Sequence, residues 1–214
     1  MRLRHIPGSE EEIEESGWAY HSPEEVKENI KSPLYIEIGM GKGRFIIDNA
    51  FLYPDINFIG IEMYESVMVK ATRRLDRMPP DETPENLHFI RMDARDICDY
   101  FPEQSIDRIY LNFSDPWPKT RHAHRRLPSE QFLKRFHKVL KNGGTIEFKT
   151  DNKELFDFAM GEYEKAGFTL VYTTYDLHND VSAMKENVMT EYEEKFSAKG
   201  NKICKYVIRK QPVE

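Results

Sequence analysis

The stretch Tyr35-Ile36-Glu37-Ile38-Gly39-Met40-Gly41-Lys42-Gly43-Arg44 puts three glycines and one carboxylate between an apolar run and a helical one. Glycines at such a junction permit a tight turn and let backbone amides approach a ligand, and the following helix N-terminus adds a partial positive field. A dinucleotide site needs glycine at the third position of G-x-G-x-x-G, where this chain has Arg44, so a nicotinamide cofactor is disfavoured. Glu37 would repel a pyrophosphate and attract an ammonium. S-adenosylmethionine carries an ammonium and no phosphate, so Glu37, Gly39, Gly41 and Gly43 are read as a site for it. Glu62, 19 residues after Gly43, is placed to accept from ribose hydroxyls, and Asp93 to receive the adenine amino group. The competing reading of Glu62 and Asp93 is that each caps a helix or stands in a solvated turn.

A second constellation is Phe113-Ser114-Asp115-Pro116-Trp117-Pro118-Lys119-Thr120-Arg121-His122. Two prolines around a tryptophan stiffen the backbone and set Asp115 just past a strand end, where open α/β sheets do their chemistry. Lys119, Arg121, His122, His124, Arg125 and Arg126 follow, with no carboxylate between Asp115 and Glu130. Such a patch can track a nucleic-acid backbone; alternatively it is a solvated face. Thr190-x-x-Glu193 has the spacing of a capping box, and Asp151 is placed to cap the helix from Lys153.

Short apolar runs alternating with helical periodicity from Leu34 onward must position these groups. Strands are expected at Leu34–Ile38, Asn57–Ile61, Leu87–Met92, Ile106–Asn112, Thr145–Lys149, Phe168–Tyr175 and Lys202–Arg209. Helices are expected at Arg44–Leu52, Tyr64–Arg77, Ser129–Leu140, Lys153–Ala166 and Thr190–Ala198, with a turn at Asn142-Gly143-Gly144. The expected fold is α/β and Rossmann-like: seven strands, mostly parallel with the last antiparallel, and helices on both faces. Residues 1–33, with Pro7, Gly8, an acidic run from Glu10 to Glu15 and Pro23, read as a partly ordered arm before a domain spanning 34–214.

The 214 residues carry a formal net charge of −6, so contact with nucleic acid must be local. Two cysteines, Cys98 and Cys204, fit neither a zinc site nor a disulfide scaffold and suit a reducing cytoplasm. No long apolar run or export signal is visible, so no membrane partner is expected. Helix-turn-helix and zinc-finger spacings are missing, so neither is a DNA partner.

Together these motifs resemble the bacterial tRNA (guanine-N7)-methyltransferase family. The resemblance runs from about Leu34 to Arg209 and rests on the Glu37 glycine loop, Asp115-Pro-Trp-Pro-Lys-Thr-Arg-His122, Thr150-Asp151-Asn152 and Thr190-Glu191-Tyr192-Glu193. It implies a class I methyltransferase without a metal, forming 7-methylguanosine in the variable loop of tRNA and leaving S-adenosylhomocysteine. It further implies cofactor contacts at Glu37, Glu62, Asp93 and Asp115, with Asp115 catalytic. Substrate contacts fall on Lys119, Asp151, Thr190, Glu191, Tyr192 and Glu193, and RNA contacts on Arg121, His122, His124, Arg125 and Arg126. A cytoplasmic monomer or homodimer is expected. The rival expectations are a class I methyltransferase acting on another RNA, an acidic protein or a small molecule, and a nucleotide-sensing RNA-binding module without turnover.

Overall fold

The computed structural model describes residues 6–212. The basic residues Arg2, Arg4 and His5, which would extend an arm toward tRNA, lie outside the described residues. In chain order come α1 (Ser9–Glu15), β1 (Ala19–Tyr20), α2 (Pro23–Asn29), β2 (Leu34–Ile38), α3 (Arg44–Leu52), β3 (Asn57–Glu62) and α4 (Glu65–Asp76). They are followed by β4 (Leu87–Arg91), α5 (Ile97–Tyr100), β5 (Ile106–Asn112), α6 (Glu130–Val139) and β6 (Leu140–Thr150). The chain ends with α7 (Lys153–Met160), β7 (Phe168–Thr174), α8 (Val181–Met184), α9 (Glu191–Ser197) and β8 (Cys204–Lys210).

The strands form one sheet in the order β1-β4-β3-β2-β5-β6-β8-β7. Strands β1 to β6 pair in parallel, and β8 enters antiparallel between β6 and β7. Apolar residues of α1, α3 and α4 pack on one face, and those of α2, α5, α6 and α7 on the other. A sheet covered on both faces needs near-continuous apolar strands, and Ile36, Ile38, Ile59, Ile61, Phe89, Ile109 and Leu111 are all buried.

The sheet has eight strands rather than the seven expected. The extra one, Ala19–Tyr20, is too short to show a period of two, and its pairing to Phe89 and Ile90 is a long-range contact. The expected helix Lys153–Ala166 stops at Met160, because Gly161 ends it; a single 3₁₀ turn, Glu164–Ala166, follows. Residues 141–144 bulge out within β6, whose pairing steps from Ile106↔Leu140 to Arg108↔Thr145. No helix among the described residues is long and apolar enough to cross a membrane.

Strands β2, β3 and β4 run outward in one direction from the middle of the sheet, and β5 and β6 in the other. The order reverses between β2 and β5, and the crevice beyond their carboxyl ends is where such sheets bind ligands.

Candidate active site

The loop leaving β2 is built by its glycines. Gly39, Gly41 and Gly43 have φ of 77°, 60° and 77°, a region L side chains avoid. The turn is held by Gly39 and Met40 amides donating to the Ile61 carbonyl at 2.8 and 3.0 Å. A Cβ on Gly43 would stand 2.9 Å from the Ala71 Cβ, so this glycine lets α3 approach α4; a Cβ on Gly39 or Gly41 would meet nothing within 4 Å. The loop is therefore open toward the crevice.

Glu62, at the end of β3, fixes the loop from beside it. Its Oε2 accepts from the Gly41 amide at 3.1 Å, and its Oε1 from Met63 and Tyr64 at 2.9 and 3.1 Å. Three of about four lone-pair sites are thus used, leaving one for a ligand hydroxyl. Burial pushes the Glu62 carboxyl above its ordinary range, against these three amides, and the charge of Asp115 adds to the rise.

Glu37 lies on β2, paired with Gly60 of β3 and Tyr110 of β5, and is 2% exposed. The Asn112 amide donates to its Oε1 at 2.8 Å across the strand-order reversal. Its Oε2, the Asn112 Oδ1 and the Ser114 Oγ are buried and have no hydrogen-bond partner among the described residues. Orphaned buried acceptors at one strand-end corner point to a ligand that supplies N–H or O–H groups. Burial pushes the Glu37 carboxyl up to about 7; Asn112 and the Lys149 charge pull it down, and Glu62 pushes it up. An ammonium here would satisfy both the orphaned oxygen and the charge, so the residues present fit S-adenosylmethionine.

Past β5 the backbone is strained where the second constellation begins. Phe113 and Trp117 have φ of 50° and 42°, unusual for bulky residues and typical of functional loops. Between them Asp115 is exposed, makes no hydrogen bond within the described residues, and stands close enough to Glu62 to influence it. Lys119, Arg121, His124 and Arg125 are exposed. The Arg125 guanidinium lies 5.0 Å over the Trp117 ring, and His122 meets the same ring edge-on at 5.7 Å. Partial burial, with Arg125, Lys119 and His124 nearby, holds the His122 imidazole below its usual value. Arg126 turns inward: its Nε donates to the Pro116 carbonyl at 2.9 Å, its Nη2 to that of Trp117 at 3.1 Å, and its guanidinium covers Phe158 at 4.4 Å. It clasps the loop, whereas Arg121, His124 and Arg125 face solvent.

The remaining expected contacts divide. Asp93 caps the turn Ala94–Asp96, accepting from the Arg95 amide at 2.9 Å and the Arg95 guanidinium at 2.7 Å, which holds its carboxyl below the usual range. Asp151 accepts from the Asn201 amide at 2.9 Å; the cap of α7 is Asn152, whose Oδ1 accepts from the Leu155 amide at 2.8 Å. Thr190 caps α9, its Oγ1 accepting from the Glu193 amide at 2.9 Å. The Glu193 side chain does not complete a capping box. It is fully buried and receives Lys149 at 2.6 Å and Asn187 at 2.7 Å, with His178 Nε2 at 3.0 Å. Tyr192 is exposed, stacked on Phe196 at 4.0 Å and tilted against Phe113 at 4.9 Å. Glu191 pairs with Lys42 at 2.9 Å and Glu194 with Arg44, so α9 is docked on the glycine loop. Asn112, Lys149, His178 and Asn187 were not singled out from sequence; the only local signal was a lysine and an asparagine at the ends of otherwise apolar strands.

A family model described as "Putative methyltransferase" matches residues 31–206. A tRNA (guanine-N(7)-)-methyltransferase of Lachnoclostridium phytofermentans is 46% identical, with 97% of each chain covered. One of Bacillus cytotoxicus is 45% identical, with 100% of each covered. Among solved structures, an antibiotic-related methyltransferase superposes with a TM-score of 0.67 at 18% identity, covering 90% of this chain and 96% of that one; that likeness speaks for the fold alone.

Proposed function

The chain belongs to the tRNA (guanine-N(7)-)-methyltransferase family, and from that premise we propose that it transfers the methyl group of S-adenosylmethionine to N7 of a guanosine in the variable loop of tRNA. The observation that carries the reading is the Glu37 corner, a buried carboxylate with one orphaned oxygen beside an open glycine loop, with the unpartnered Asp115 on the next strand end. Residues 34–214 are the transferring domain, and α1, Trp18 and β1, ahead of it, brace it through Arg73, Asp76 and the β4 edge.

Glu37 and the Gly39–Gly43 loop hold the amino-acid end of the cofactor, and the free lone pair of Glu62 takes a ribose hydroxyl. Asp93 already has both oxygens engaged, so its share in adenine recognition is limited to the acceptor capacity that remains. Bound there, S-adenosylmethionine supplies a methyl group on a sulfonium centre. Guanine N7 has a free in-plane lone pair at neutral pH, so the chain needs no general base. Its residues have to align the purine and hold charge, which is the proximity and electrostatic part of catalysis.

As N7 is alkylated the purine becomes cationic, and its N1–H and amino group become stronger donors. A carboxylate accepting from them binds the transition state more tightly than the ground state. Asp115 is free to do so, and Asp151 retains an oxygen outside its bond to Asn201. The exposed Tyr192 ring, in contact with Phe113 and under the influence of the Asp151 charge, offers apolar surface for the base. Lys119, Arg121, His124 and Arg125 contact RNA phosphate or ribose. Glu193 acts from beneath and Arg126 from within the loop.

Labelled methyl transfer to bulk tRNA and to a protein extract tests this reading. Label in tRNA alone supports it. Label in protein alone favours the rival reading, in which the basic loop binds an acidic substrate.

A further inference from the structure

Lys149 has no role in the reaction as described, yet it occupies a costly position. It lies on β6, paired in register with Asn112 of β5 and Tyr206's neighbour Lys205 of β8, and is 3% exposed. Burying an ammonium costs several kcal/mol unless all its donors are matched. Here all three are: Nζ donates to Glu193 at 2.6 Å, to the Val188 carbonyl at 2.9 Å and to Asn187 Oδ1 at 3.1 Å. It also lies 5.1 Å from the Phe45 ring centre, on the helix opened by the glycine loop.

We propose that Lys149 is a positioning residue for methyl transfer, a single buried cation that anchors the segment Asn187–Glu193 carrying Tyr192 and is also the internal counter-charge of Glu37. Two sets of contacts meet at it. On the substrate side, Glu193 gathers Lys149, His178 and Asn187 at the base of α9, so the placement of Tyr192 against Phe113 depends on this bond. On the cofactor side, Asn112, the register partner of Lys149, donates to Glu37 and links the two across adjacent strands, and the Lys149 charge lowers the Glu37 carboxyl. The groups facing Glu37 are Asn112 from β5, Lys149 from β6 and Glu62 from β3, with Asp115 beyond Glu62. Those facing Lys149 are Glu193, Asn187 and His178, with Glu147 and Lys205 along the sheet. The inference rests on the functional reading above, because it takes Glu37 as the cofactor's carboxylate and Tyr192 as part of the guanosine site.

The test compares wild type, Lys149→Met and the double variant Lys149→Met/Glu193→Gln, which removes both buried charges together and leaves an amide to pair with Asn187 and His178. S-adenosylmethionine affinity is measured by calorimetry between about pH 6.5 and about pH 9, with kcat and KM for tRNA alongside. Both variants are expected to bind the cofactor about tenfold more weakly near neutrality, with the gap closing as Glu37 ionises at higher pH. The double variant should regain the melting temperature lost in Lys149→Met while keeping the cofactor deficit and a raised KM for tRNA. A double variant with wild-type cofactor affinity at neutral pH overturns the proposal, since Lys149 would then be mere packing; so does a deficit constant across pH. Wild type that binds no S-adenosylmethionine would instead sink the functional reading, and this proposal with it.

Discussion

Burial outweighs the help that Glu37 receives from Asn112 and Lys149 and pushes its carboxyl up to about 7. That lies above the ordinary glutamate value of 4.5, so the fold binds a proton more tightly than the unfolded chain. Its contribution to stability is complete below that lower value and is lost as pH rises through about 7, a span worth at most about 3 kcal/mol. An ammonium ligand reverses the balance. Cofactor binding near about pH 6 should therefore release a proton, seen as a dependence of the calorimetric heat on buffer ionisation enthalpy. Glu37→Gln should abolish that dependence, weaken cofactor binding, and flatten the fall in melting temperature between about pH 4.5 and about pH 7. Asp115→Asn should lower turnover by about a hundredfold with cofactor affinity nearly unchanged, as expected of a group whose interaction strengthens in the transition state; unchanged turnover would remove it from that role. Glu37, Glu62 and Asp115 could be singled out in the sequence because Glu37 stands two residues before the glycine loop, Glu62 ends a short apolar run and Asp115 lies just past another. The pairing of Lys149 with Glu193 could not, because it joins residues 44 apart with no shared periodicity.

Elements decide which members of a motif face outward. From sequence, Arg121 to Arg126 form one basic run; in the fold the 3₁₀ turn Thr120–Arg125 leaves Arg125 over Trp117 and sends Arg126 into the Pro116 and Trp117 carbonyls. Arg125→Ala should weaken tRNA binding and reduce the salt slope by about one. Arg126→Ala should act chiefly by loosening the loop, with a lower kcat and a lower melting temperature than Arg125→Ala. The glycine loop gives a sharper case: Gly43→Ala must hold a left-handed φ and pushes a methyl against Ala71, so a loss of about 1–3 kcal/mol is expected in denaturant unfolding. The α3, α4 and α6 helices were legible because their apolar periodicity extends over two or more turns. The end of α7 was not, since the apolar residues beyond Gly161 continue the pattern after the helix has stopped.

For the whole molecule, the alternation of apolar runs and helices foretold a doubly wound sheet with an antiparallel last strand, and the sheet has that form. What the sequence hid is how the first residues join it. Glu12 of α1 forms a bidentate pair with Arg73 of α4 at 2.6 Å, Trp18 donates to Asp76 at 2.9 Å, and β1 covers the edge of β4. These contacts connect positions about sixty residues apart or more and leave no local signature in an acidic, proline-broken segment. Deleting residues 1–33 should bare the β4 edge and lower the melting temperature, with aggregation increasing as the unpaired strand is exposed. The central claim, that this sheet carries methyl transfer to guanine N7 of tRNA, is tested most directly by nucleoside mass spectrometry of unmodified tRNA incubated with the protein and S-adenosylmethionine. The account predicts 7-methylguanosine, formed by wild type and strongly reduced with Asp115→Asn; tRNA that gains no 7-methylguanosine, or gains a different methylated nucleoside, would contradict it.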